Sequence, residues 1–123
     1  MSINLLSTDL MFPSRVRAAA AARGLKLDVA MSAAALDDRL AAAPCELLIV
    51  DLSAAGADLS ELVTQVKAAK HPPGAILAVG PHVQEDKLRA AAEAGCDIVL
   101  TNGQFHAQME EVMVQYAANA EGE

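Results

Sequence analysis

The chain has 123 residues and a net charge of −7, from nine basic and sixteen acidic side chains, which fits one compact domain and leaves no room for two. Hydrophobic residues reach 54% but aromatics only 2%, and 27 residues are alanine, so the core must come from Leu, Val, Ile and Met under closely packed helices, and disorder is excluded. Residues 1–40 hold five basic and four acidic groups while residues 41–123 hold four basic and twelve acidic, so no basic stripe exists for nucleic acid or an anionic membrane, and neither is expected as a partner.

The opening MSINLLSTDLMF has no positively charged segment ahead of an apolar run and meets Asp9 early. No stretch approaches the roughly 18 uncharged apolar residues of a membrane span, so a cytoplasmic location is expected. Ile3 to Ser7 reads as the first strand. Pro13 then suits the first turn of a helix that runs to Arg23 and stops at Gly24. LKLDVAM, residues 25–31, is the second strand, and Ser32 is placed to cap a helix reaching Ala42, with Leu36 and Leu40 on one face. Pro44 ends it.

The run from Glu46 to Val50 is nearly all apolar, as a central strand covered on both faces requires, and it delivers a carboxylate, Asp51. After the loop SAAGA, Asp58 and Glu61 have capping-box spacing, and Leu59, Leu62, Val63 and Val66 form a helical stripe. His71-Pro72-Pro73-Gly74 breaks the helix. A fourth strand, Ala75 to Val79, leads through Gly80-Pro81-His82 into a helix carrying Leu88 and Ala92, which ends at Gly95 as a left-handed cap. Asp97 to Leu100 is the fifth strand. The last helix, from about Gln104, carries Phe105, Met109, Val112, Met113 and Tyr116 on one side. Residues 119–123 are expected to fray, leaving a domain over residues 1–118.

Five strand–helix alternations predict an α/β fold with a single doubly wound, five-stranded parallel sheet in flavodoxin-like order 2-1-3-4-5 and five helices. In such sheets ligands and reactive groups gather at the carboxyl ends of the strands. Those ends carry Thr8 and Asp9, then Asp51, then Gly80 and His82, then Thr101 and Asn102.

With these residues in place, the chain resembles the receiver domain of bacterial response regulators over nearly its full length. LLIVDLSAAGADLSELV is similar to the family's strand, loop and helix around the aspartate that accepts a phosphoryl group, which makes Asp51 the candidate phosphoacceptor. LRAAAEAGCDIVL resembles its fourth helix and fifth strand. The resemblance also implies an acidic pair after the first strand that holds Mg²⁺ together with the acceptor, but here the loop reads Ser7-Thr8-Asp9-Leu10, so Asp9 and Asp51 are the only carboxylates for a metal, and no metal or other cofactor is expected. The family's hydroxyl residue after the fourth strand corresponds to Gly80, and its lysine after the fifth falls at Thr101 or Asn102.

Losing that lysine and half the acidic pair removes the positive charge that stabilises phosphoryl transfer. The pattern resembles the degenerate members, or pseudo-receivers. It implies a stand-alone, non-enzymatic protein-interaction module in two-component signal transduction. Two alternatives stay open, a single-domain response regulator phosphorylated on Asp51 and a flavodoxin-like small-molecule binder. The partner would be a signalling protein or a second copy in a weak homodimer. Receivers commonly use the face of the fourth helix, fifth strand and fifth helix, which supplies Lys87, Arg89, Met109 and Tyr116 here. No nucleophile–base set or nucleotide loop is present. Arg15 lies close enough to the strand ends to pair with Asp51 or Asp9, Cys45 and Cys96 read as free thiols, and His71, His82 and His106 receive no role.

Overall fold

In the computed structural model, residues 2–9, 11–53 and 59–115 are described. Asp58, Tyr116 and the tail therefore lie outside the described residues, and so do the capping-box and fraying expectations that rest on them. The order along the chain is β1 (Ser2–Leu6), α1 (Met11–Ala22), β2 (Lys26–Ala30), α2 (Ala33–Ala42), β3 (Leu47–Asp51), α3 (Leu59–Lys67), β4 (Ala75–Gly80), α4 (Glu85–Ala94), β5 (Ile98–Thr101) and α5 (Asn102–Met113). All strand pairs are parallel, in the order β2-β1-β3-β4-β5. This is the architecture expected from the alternation of strand and helix patterns.

Side chains alternate across the sheet because the strand period is two. Ile3, Leu5, Leu47, Ile49, Leu77 and Val79 pack with Phe12 and Val16 of α1 and with Phe105, Met109, Val112 and Met113 of α5. On the other face Leu6, Leu48, Val50, Ile76 and Ala78 meet Leu36, Leu40, Leu62, Val63, Val66 and Ala91 from α2, α3 and α4. Each fully buried Leu or Ile contributes about 1.5–3 kcal/mol relative to exposure. The two cores together hold β3 at the centre, and Asp51 leaves the sheet at its end.

Helix ends follow the sequence closely. Ser32 caps α2 by accepting the Ala35 N–H at 3.1 Å. Gly24 (φ +71°) and Gly95 (φ +108°) close α1 and α4 in the left-handed conformation. At each, the glycine N–H and the one after it return to the last turn, Gly24 to Ala21 and Leu25 to Ala20, Gly95 to Ala92 and Cys96 to Ala91. Boundaries moved by a residue or two elsewhere. α1 begins two residues before Pro13, and β3 includes Asp51. Ser7 falls just beyond β1, although its N–H still donates to the Ala30 carbonyl. α5 starts at Asn102 rather than Gln104, because Thr101 accepts the Gln104 N–H while the Gln104 side chain accepts the Thr101 N–H, a complete capping box.

Candidate functional site

Ser7 is fully buried immediately after β1, and its hydroxyl donates to Asp51 Oδ2 at 2.9 Å across the β1–β3 pair. The Ser53 N–H donates to Asp51 Oδ1 at 3.1 Å. Among the described residues, each oxygen of this half-buried carboxylate is therefore held by one neutral donor. Ser7 Oγ also accepts the Asp9 N–H at 3.2 Å, which fixes the loop after β1. The Asp9 carboxylate accepts the Met11 N–H on Oδ1 at 2.9 Å, satisfying one of the free amides at the start of α1.

A cleft of about 360 Å³ opens over Asp51. Thr8, Asp9 and Ser53 come from the loops, Met11, Phe12 and Arg15 from the first turns of α1, and Asn102 and His106 from α5. The helical period explains the last two groups, since Met11 and Arg15, like Asn102 and His106, are four residues apart and share a face. The Phe12 ring lies edge-on to the His106 imidazole at 6.0 Å between centroids, and both rings adjoin Phe105. Phe12 and His106 thus give the cleft aromatic lining, and Thr8, Asp9, Asp51, Ser53 and Asn102 give it polar lining.

Of the strand-end residues singled out in the sequence, Thr8, Asp9, Asp51 and Asn102 meet in this cleft, whereas Gly80, His82 and Thr101 do not line it. Thr101 is taken up in capping α5, and Asn102, the first residue of α5, lines the cleft with Asp51. His82 is exposed in the turn after β4. At Gly80 the space a side chain would need is filled by Leu52, whose Cδ1 lies 2.9 Å from an ideal Cβ position.

His106, Met11, Phe12 and Ser53 were not among the expected site residues. Arg15 reaches the cleft as its position suggested, but it makes no ion pair with Asp51 or Asp9; the ion pairs among the described residues are Arg23–Glu110 and Arg39–Asp28. On the second proposed surface, Lys87 and Arg89 are exposed on α4. Met109 is corrected: it is only 8% exposed, drawn into the core by the same apolar stripe that made it a candidate anchor.

The donor set does not suit Mg²⁺, a hard cation that asks for several oxygen ligands in octahedral geometry. Asp51 offers its carboxylate with one lone pair on each oxygen already engaged, and Asp9 is committed to α1. Among the described residues no group of three or more His, Cys, Asp or Glu side chains is arranged to hold a metal ion. The two cysteines are free. The Cys45 thiol donates to the Leu47 carbonyl at 3.0 Å, and burial, ahead of all other effects, pushes both thiols up to about 11.

No protein-family model and no curated protein sequence matches the chain. Solved structures do. The receiver domain of the sensor histidine kinase PA1611 from Pseudomonas aeruginosa, whose crystal structure has a magnesium ion in its active-site cleft, superposes with a TM-score of 0.79 at 11% identity, covering 94% of this chain and 95% of that one. A response regulator from Thermotoga maritima gives 0.79 at 14% identity over 95% and 97% of the two chains. The receiver domain of NtrX from Brucella abortus gives 0.78 at 15% identity over 93% and 96%. The architecture is therefore that of response regulator receiver domains, a flavodoxin-like α/β fold. Among the described residues no helix is long and apolar enough to cross a membrane.

Proposed function

We propose that this chain is a pseudo-receiver, a signalling module that works through contacts with other proteins and not through Mg²⁺-dependent phosphorylation of Asp51. The observation that carries this reading is the environment of Asp51. Both carboxylate oxygens take neutral donors from Ser7 and Ser53, and no described cation pairs with the group. Phosphoryl transfer is accelerated chiefly by positive charge arranged in advance around the transferring group. Here the Asp9 carboxylate accepts an amide at the start of α1, the first residue of α5, Asn102, contributes an uncharged amide, and Leu52 fills the space beside Gly80. Function drawn from a shared fold is an analogy, and the site chemistry decides between active and inactive members.

Incubation with acetyl phosphate, and separately with beryllofluoride, with and without Mg²⁺, tests the proposal by intact mass and by amide chemical shifts. No covalent adduct and no Mg²⁺-dependent shift are expected. Stoichiometric, Mg²⁺-dependent modification that Asp51→Asn abolishes would instead establish a single-domain response regulator. That second reading draws on Asp51 itself, which opens into a cleft, and on the magnesium ion that the structurally similar PA1611 receiver domain holds in its active-site cleft.

A further inference from the structure

We propose that the Asp51 cleft receives an arginine or lysine side chain of a partner protein, presented between apolar neighbours. This rests on the interaction-module reading above and specifies the chemistry of the partner. A carboxylate has about four lone-pair positions, of which Ser7 and Ser53 take one on each oxygen. Among the described residues the other two take no donor, which matches the parallel pair of N–H bonds that a guanidinium makes to a carboxylate. The charge of Asp51 is hydrogen-bonded but not neutralised, since Arg15 lines the same cleft without pairing to it. Phe12, although 9% exposed and packed in the core, lines the same cleft and adds aromatic lining beside a bound cation.

The lining favours a side chain of a protein over a free ion. Met11, 65% exposed, lines the cleft with Asp51 and Arg15, and methionine adapts its shape to a partner surface at low cost. Met31 (59%) and Val83 (76%) lie outside the cleft lining but are also exposed, each in the segment that follows a strand, β2 and β4, so exposed apolar side chains recur at this end of the sheet. The net charge of −7 favours encounter with a basic partner.

A titration of ¹⁵N-labelled protein with the peptide acetyl-Leu-Arg-Leu-amide, against acetyl-Leu-Gln-Leu-amide, tests this. Saturable shifts are expected at Thr8, Ser53 and Asn102 with the arginine peptide. Binding should be about fivefold weaker with the glutamine peptide and for Asp51→Asn, the scale a solvent-accessible ion pair supplies. Asp51→Asn is nearly isosteric and can keep both hydrogen bonds, because the Ser7 hydroxyl can accept as well as donate. As a second variant, Asn102→Lys places a cation in the cleft from within the chain and should also abolish arginine selectivity. Equal binding of the two peptides, absence of saturable shifts at these residues, or undiminished selectivity in both variants would overturn the proposal. Because the titration uses unmodified protein, its outcome is independent of whether acetyl phosphate labels Asp51.

Discussion

Replacing Gly80 by alanine isolates the feature that most separates this strand-end site from one able to carry a hydroxyl. Gly80 closes β4 with an ordinary negative φ, so alanine needs no unusual backbone, and relief of glycine's conformational entropy favours the change by about 0.5–1 kcal/mol. The added Cβ, however, would stand 2.9 Å from Leu52 Cδ1, 3.4 Å from its Cβ and 3.5 Å from its Cγ. Leu52 is only 4% exposed and packed among the residues of the α2–α3–α4 core, so it cannot swing out cheaply. Overpacking of this kind costs about 1–3 kcal/mol. The balance is a net destabilisation of about 1 kcal/mol, or about 4 °C in Tm for a domain of this size. In a Leu52→Ala background, itself destabilised, the same Gly80→Ala change should become neutral or stabilising, giving a coupling of about 1–2 kcal/mol in a double-mutant cycle measured by urea unfolding. Gly80→Ser, which adds an oxygen to the same Cβ, should cost at least as much. A Gly80→Ala protein as stable as wild type with Leu52 intact would refute the argument that Leu52 closes this position.

Thr101→Ala removes the side-chain half of the capping box, the hydroxyl that accepts the Gln104 N–H, while the Thr101 N–H can still donate to Gln104, and it should lower stability by about 1 kcal/mol; it should also shift the His106 ring resonances, since His106 rides on the first turns of α5. Asn4 is 3% exposed in the middle of β1, and its Oδ1 lacks a hydrogen-bond partner. The Asn4 side chain also hydrogen-bonds the Cys45 thiol, so Asn4→Leu trades that contact for relief of the unpartnered oxygen and is expected to hold or raise the urea midpoint, by about 1 kcal/mol at most; a clear loss of stability would show that the Asn4–Cys45 contact outweighs the cost of the buried oxygen. Cys45 and Cys96 have thiols raised from 9.0 to about 11 by burial. A thiol whose pKa is higher in the folded state keeps its stabilising effect below pH 9 and loses it as pH rises toward 11. Thermal midpoints should fall across that window, the fall should be smaller in Cys45→Ala, and alkylation of both thiols in the native protein should be slow at pH 8.

The sheet was legible because its signals are local and redundant. Leu47 to Val50 is an uninterrupted apolar run, Gly24 and Gly95 fall where a helix can end only in the left-handed conformation, and Ser32 stands one residue before an alanine-rich helix. The site was legible only where it coincides with strand ends, as at Thr8, Asp9, Asp51 and Asn102. His106 was missed because a helical residue enters the cleft through the period of its helix, one turn after Asn102, and no strand-end rule reaches it. Ser7 reads in the sequence only as the end of the first strand. Its role as donor to Asp51 and acceptor for the Asp9 amide depends on a contact between residues 44 positions apart. Thr101 is the opposite case, since Thr101 and Gln104 have the spacing of a capping box in the sequence itself.

The face of α4, β5 and α5 now has a different character from the one its sequence suggested. Phe105 and Met113 are fully buried, Val112 and Met109 nearly so, and Glu110 pairs with Arg23 of α1 at 3.1 Å. These contacts fasten α5 to α1 and to the sheet, and among the described residues they leave Lys87 and Arg89 as the expected docking residues still fully available on this face. Exposed charges of that kind supply about 0–1 kcal/mol per pair and act mainly on the rate of encounter. Any self-association through this face should therefore be weak and electrostatic. Sedimentation velocity at about 50 mM and about 500 mM salt, between which the screening length shortens severalfold, should show any dimer present at low salt dissolving at high salt, and Lys87→Ala with Arg89→Ala should remove it at both. A dimer that persists at high salt and survives the double substitution would place an apolar anchor on this face and refute the assignment of the α5 stripe to the core.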